Sequence, residues 1–223
     1  MKNEKVVKKR KKMSSIKKLF ICIVLALLIV DGFYIYNNFI KIRTSAKKPK
    51  VVDEIKSFEY TVNEKDTKLY KSTFNELKKV LTAKKVDEEK YAETIAKLFI
   101  IDFFSLENKT SKNDIGGVQF VFSNYKKDFV DYAREGIYKQ VKNNIDSGKK
   151  QDLPLVDEVE IKKTDKIVPS QVFQNEAVSS DTEEDGYEIE VEWSYKDSDD
   201  FQTHAVLTII KDGTKLSVAK MDK

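Results

Sequence analysis

Residues 187–193 read YEIEVEW, with apolar and acidic residues in strict alternation. In an extended chain successive side chains point to opposite faces. Tyr187, Ile189, Val191 and Trp193 therefore share one side, and Glu188, Glu190 and Glu192 share the other. This is the pattern of an antiparallel strand with one buried and one wet face. Toward the C-terminus the period of two continues. Phe201–Lys211 and Lys215–Met221 are expected to form a hairpin around Asp212-Gly213, a strong turn signal. Toward the N-terminus, Val156, Val159 and Ile161 begin a strand region. Val168–Phe173 reads as a further strand, with Pro169 placing it at a sheet edge.

Before residue 150 the period changes to that of a helix. Tyr70, Phe74, Leu77 and Leu81 recur at helical spacing behind Asp66 or Thr67, either of which can cap the first turn. Asp87 opens a second helix whose centre, LFIIDFF at 98–104, is apolar on nearly every side. A helix apolar all round is a buried one. NKTSKNDIGG at 108–117 is a loop, and its paired glycines suit a tight turn. Val118, Phe120 and Phe122 lead into a third helix over roughly 124–144, with Phe129, Tyr132, Ala133, Ile137 and Val141 inward. Phe58, Tyr60 and Val62 alternate with polar residues and suggest a short first strand. The expected fold class is α+β: a short strand, about three helices, then a curved antiparallel sheet of four to five strands that the helices cover on one face.

The N-terminal region is of another kind. Leu19–Val30 reads LFICIVLALLIV; Asp31 and Gly32 interrupt, and FYIY follows at 33–36. Those eighteen residues rise about 27 Å as a helix, near the ~30 Å of a bilayer's hydrocarbon core. Lys8, Lys9, Arg10, Lys11, Lys12, Lys17 and Lys18 precede them, which by the positive-inside rule keeps the N-terminus in the cytoplasm. Tyr34 and Tyr36 sit where an outer aromatic belt is expected. A cleaved signal peptide is the competing assignment, but no A-x-A site follows the apolar run. Cys22, the one cysteine, lies too early in that run for lipidation. Asp31 is read as a carboxylate about one turn from the outer interface, with a contact to another membrane helix as the alternative. The expected organisation is a basic cytoplasmic tail at 1–18, a transmembrane signal anchor at 19–40, a stalk at 41–52 and an extracytoplasmic domain at 53–223.

Charge follows the same division. The chain of 223 residues has a net charge of +4, yet residues 1–18 carry +8 and residues 19–50 carry +4, leaving −8 from Val51 onward. An acidic domain argues against nucleic acid as partner, because phosphate binding needs a basic face. The basic tail needs no partner beyond lipid, at about 1 kcal/mol of attraction per basic residue near an anionic surface. Seven Gly and three Pro favour long regular elements over a loop-rich sandwich. With one cysteine there can be no disulfide framework and no cysteine zinc site.

The element order resembles the cystatin-like, nuclear-transport-factor-two-like fold, a cone of helices against a bent sheet. LFIIDFFSL at 98–106, YKKDFVDYAREGIY at 125–138, YEIEVEWSY at 187–195 and HAVLTIIKDGTKLSVAKMD at 204–222 carry the likeness. With the basic tail and single anchor, the layout is similar to scaffold proteins of type IV secretion and Gram-positive conjugation machines. The resemblance rests on element order, with no position-specific motif, and implies an assembly role without a cofactor.

No catalytic, cofactor-binding or metal-binding residue is assigned. His204, the one histidine, has neither a second histidine nor a cysteine to complete a zinc site, and no nucleophile elbow surrounds it. Asp181, Glu183, Asp185, Gly186 and Glu192 fall at EF-hand spacing, but Glu192 lies in a strand where a helix is required. Asp197, Asp199 and Asp200 read as a solvated acidic turn. Tyr187, Trp193, Tyr195 and Phe201 are the candidates to line a concavity of the sheet, or else to pack its core. The expected function is that of a non-enzymatic, single-pass envelope protein. Its extracellular domain would bind other envelope proteins, with the bilayer and a second copy as further partners. A surface ligand-binding module using the concave pocket is the alternative, and an enzyme the third.

Overall fold

The computed structural model describes residues 50–141, 153–173, 186–197 and 201–223. The chain divides into two compact units, Met1–Lys48 and Pro49–Lys223, and all described residues belong to the second. The anchor, with Cys22 and Asp31, lies outside them, as do Asp181, Glu183, Asp185, Asp199 and Asp200. Among the described residues no helix is long and apolar enough to cross a membrane.

The unit is α+β. Strands β1 (Val51–Ile55) and β2 (Tyr60–Asn63) form an antiparallel pair. Helices α1 (Lys68–Leu81), α2 (Glu88–Phe104) and α3 (Lys126–Glu135) follow. Strand β3 (Val156–Ile167), the one-turn helix α4 (Pro169–Val172), and strands β4 (Gly186–Tyr195), β5 (His204–Asp212) and β6 (Lys215–Asp222) complete it. The large sheet is antiparallel in the order β3-β4-β5-β6.

Helix α2 is the centre of the packing. It touches α1 and all four strands of the large sheet. Eleven of its residues are buried, from Tyr91 to Phe104. The sheet's inner face meets it with Tyr187, Ile189, Val191 and Trp193, each at most 4% exposed. Their neighbours on β5 are Ala205, Leu207 and Ile209, in the register Tyr187↔Ile209, Ile189↔Leu207 and Val191↔Ala205. The alternation of YEIEVEW is therefore the alternation between the core and the open face. Asp87 caps α2 by accepting the Lys90 N–H at 3.1 Å. Thr67, of the two candidates, caps α1, accepting the Tyr70 N–H at 3.0 Å.

Tyrosine hydroxyls and one glutamine join the small sheet to this core. The Tyr60 and Tyr91 hydroxyls are 2.8 Å apart, and the Leu216 N–H donates to Tyr91 Oη at 3.2 Å, so β2, α2 and β6 meet at one buried point. Gln119 accepts the Thr61 N–H at 2.9 Å and donates to Tyr70 Oη at 2.6 Å. Asp53 of β1 pairs with Lys78 of α1, whose hydrogen bond holds the Asp53 carboxyl below its ordinary range. Strand β1 uses Val51 and Val52, residues assigned above to the stalk.

Three expectations need correction. Val168–Phe173 is not a strand, because Pro169 occupies the first turn of α4, where its missing N–H costs nothing. The third helix stops at Gly136, and a 3-10 turn follows at Ile137–Gln140. The break turns Tyr138 into the core, while Tyr132, expected inside, is 81% exposed. Phe58 belongs to a 3-10 turn (Lys56–Phe58) between β1 and β2, not to the strand. The hairpin turn matches its expectation: Gly213 has φ +65°, as the primed turns of two-residue hairpins require, and Asp212 pairs with Lys215.

The loop 108–117 closes against α2 through its glycines. A Cβ on Gly116 would lie 2.0 Å from the Asp102 carbonyl oxygen, and one on Gly117, at φ +76°, 2.9 Å from Phe99. The first obstacle is helix backbone and cannot give way; the second is the buried Phe99 ring. Gly116→Ala is expected to cost about 3 kcal/mol or more, measured as a lowered urea midpoint at unchanged slope on residues 49–223. A change below 1 kcal/mol would mean the loop does not approach α2 so closely.

Candidate functional site

The four aromatics proposed to line a concavity separate into two places. Trp193 packs on Phe104 of α2 with ring centroids 4.6 Å apart and planes tilted by 33°, and its indole N–H donates to Tyr195 Oη at 2.9 Å. The Tyr195 hydroxyl donates in turn to the Gln202 carbonyl at 2.8 Å, and Phe201 meets the Tyr195 ring edge-on at 5.8 Å. Burial pushes the Tyr195 phenol up to about 12. These three therefore form one chain of packed rings with their polar atoms satisfied. Tyr187, at the other end of β4, borders an open cleft of about 600 Å³ with Lys85, Val86, Asp87, Glu88, Glu89 and Lys166, but is itself only 1% exposed. The inner face of β4 is buried against α2.

The open face of the sheet carries charge. Glu188, Glu190 and Glu192 of β4 stand between lysine-bearing β3 and Thr208, Val206 and His204 of β5, and Lys162 of β3 bridges Glu160 at 2.7 Å and Glu192 at 3.0 Å. His204 lies on this face, its Nε2 3.2 Å from Glu190 Oε1, with both side chains about two-fifths exposed. It has one carboxylate neighbour and no hydroxyl nucleophile among its described hydrogen bonds, so the pair is an ion pair when the imidazole is protonated. Gly186 and Glu192 of the EF-hand pattern are both in β4, and Glu192 is engaged with Lys162. At its far end the same face is covered: Ile210 packs with Phe122 and Phe173 in a second small cluster. Asp197 ends the described part of the β4–β5 connection.

A polar node missed in the sequence sits where α2, the 108–117 loop and the start of α1 converge. Asp102, the one charge within LFIIDFF, pairs with Lys109 at 2.5 Å, and Lys109 is only 6% exposed. Its second oxygen accepts the Gly117 N–H at 2.7 Å. Tyr138 Oη donates to the Phe103 carbonyl and accepts the Gly116 N–H, both at 2.8 Å. Burial drives the Tyr138 phenol well above its ordinary range. Asp114 Oδ2 accepts from the Thr110 N–H and hydroxyl, each at 2.9 Å, and Asp66 Oδ2 accepts the Asn63 N–H at 2.6 Å. A cleft of about 70 Å³ opens among Asp66, Asp102, Asn108, Lys109 and Asp114. That is room for about two waters. The acids are mostly spoken for by Lys109 and backbone donors, and no cluster among the described residues has a metal-holding arrangement. The node fixes the loop to the helix.

Comparison of the chain with protein families, with curated proteins and with solved structures finds no match.

Asp66 supplies a pH signature. Burial raises its carboxyl above the ordinary range. A carboxyl whose pKa is higher folded than unfolded makes the native state bind more protons, so its contribution falls as pH rises from the unfolded value through the folded one. Asp66→Asn keeps an acceptor for Asn63 and removes the charge. The variant is expected to be more stable than the parent at pH 7, with the difference vanishing below about pH 4. Urea midpoints at pH 3.5, 5 and 7 test this; a variant less stable at pH 7 would show that the charged form is the favoured one.

Proposed function

We propose that this chain is a single-pass membrane protein, with the basic tail 1–18 in the cytoplasm, one helix within 19–40 crossing the bilayer, and a non-enzymatic interaction domain outside the cell. The LFICIVLALLIV run and its basic flank support the topology. Helices packed on one side of an antiparallel sheet support a cone-like domain similar to the scaffold proteins of conjugation and secretion machines. One observation carries the choice of a surface binder over a pocket binder. Trp193 and Tyr195, which a ligand would have to meet on the concave side, are occupied by Phe104, Phe201 and the Gln202 carbonyl. Recognition then falls to the outside of the domain, where the alternating charges of β3 and β4 give a polar surface suited to specificity more than to tight burial.

Two measurements in intact cells test the proposal. External protease should remove an epitope at the C-terminus while sparing one at the N-terminus. A photo-crosslinking residue at Glu188 or Val206 on the open face should capture envelope proteins, and one at Leu207 in the core should not. Protection of the C-terminal epitope in intact but not lysed cells would contradict the topology, and equal capture from all three positions would contradict a specific surface.

A further inference from the structure

We infer that the edge of β3 that no described strand pairs with is a self-association surface, and that its occupant is β3 of a second copy running antiparallel. This deepens the interaction-module reading, on which it rests, by naming one partner.

Among the described residues strand β3 is the outermost strand of the large sheet, and at twelve residues the longest. Its other side is paired with β4 along its whole length. A cleft of about 460 Å³ runs along the edge. Its lining includes seven consecutive β3 residues, 158–164, with Glu89, Glu93 and Lys97 of α2 as the opposite wall. Consecutive residues point to both faces, so what they share in the cleft is the strand edge itself. An exposed edge presents unpaired N–H and C=O groups to any second strand.

The charge pattern selects the occupant. The first half of β3 carries Asp157, Glu158 and Glu160, and the second half carries Lys162, Lys163 and Lys166, with Asp165 the one exception. A strand acidic at one end and basic at the other complements itself when reversed, as an isologous twofold contact demands. In the register that sets Ile161 opposite Lys162 of the second copy, Glu160 faces Lys163, Asp157 faces Lys166, and Val156 faces Ile167. The twofold makes each of these pairs twice. Glu158 then faces Asp165, but Asp165 is already held by Lys163 at 2.6 Å. Sliding by one residue leaves one opposite-charge pairing in place of two: Glu158 with Lys166, beside Lys162 against Lys162, in one direction, or Glu160 with Lys162, beside Asp157 against Asp165, in the other.

Relative to β4, β3 carries an extra residue in the stretches Val156/Glu158 and Ile161/Lys163. Bulges commonly guard an edge against indiscriminate pairing. The second lies at the centre of the proposed contact, so both copies are interrupted at the same place. A partner strand without that bulge would lose register there, which favours the same chain over an unrelated one.

The test uses the full chain in membranes, with Cys22→Ser as background. Copies carrying Asp157→Cys and copies carrying Lys166→Cys, on different tags, are co-expressed and oxidised. A disulfide-linked heterodimer is expected from the mixture and not from either alone. Glu160→Lys in all copies, or Lys163→Glu in all copies, should lower its yield about ten-fold, and the two together should restore it. The Glu160 and Lys163 side chains are 65% and 64% exposed, so folding should be retained, with circular dichroism as the check. A mixture that links no better than either copy alone overturns the inference, as does a yield unmoved by the single reversals. Either result, with capture from the open face of β4 intact, would leave the interaction-module reading standing.

Discussion

The domain depends on burying a helix that is apolar on nearly all sides. The second half of α2, Leu98 to Phe104, cannot rest on a surface, because every residue there but Asp102 is Ile, Leu or Phe, while Glu89, Glu93 and Lys97 keep one side of the first half at the surface. It is held between α1 and the large sheet, and that demand fixes the rest. The sheet must present one unbroken apolar face, which β4 and β5 provide through Tyr187, Ile189, Val191, Ala205, Leu207 and Ile209. The small sheet must close the remaining side, which Tyr60 and Val62 do. The same packing buries the aromatics of β4 under α2, so the architecture and the functional proposal share one cause.

Asp102 is the exception within that helix and shows how such an exception is tolerated. A lone carboxylate at this depth would be costly, and breaking a buried pair typically costs about 3–5 kcal/mol. Lys109 arrives from the following loop, and the Gly117 N–H takes the second oxygen. The loop can come that close only because residues 116 and 117 have no side chains. The charge thus specifies where the loop docks, and Tyr138 secures the same spot from beyond α3 by bonding both Gly116 and Phe103.

What could be read beforehand was what has a period. YEIEVEW announced its two faces, LFIIDFF its burial, and the 212–215 turn its hairpin. Local competition hid the rest. VVDEI at 51–55 has two exposed valines and no alternation across a core, because an outer strand of a two-stranded sheet buries little. Gly136 ends α3 with apolar residues still at helical spacing beyond it, so the periodicity ran on past the true end. Pro169 fits an edge strand or the first turn of a helix equally well by composition. The polar node had a signal, a charge inside an apolar helix with a glycine pair downstream. Choosing Lys109 among 41 basic residues required the fold. The aromatics Trp193, Tyr195 and Phe201 were legible as a group, but whether they face a cavity or a helix depends on the depth of α2.

The packing of α2 on the inner face of β4 is tested most directly by the chain's single tryptophan. Trp193 is 4% exposed and packed on Phe104. In the native full chain in detergent its emission should be blue-shifted and nearly insensitive to acrylamide, becoming red-shifted and quenchable only on unfolding. Native emission that is already red-shifted and freely quenched would place water, rather than α2, against the face from which the whole account is built.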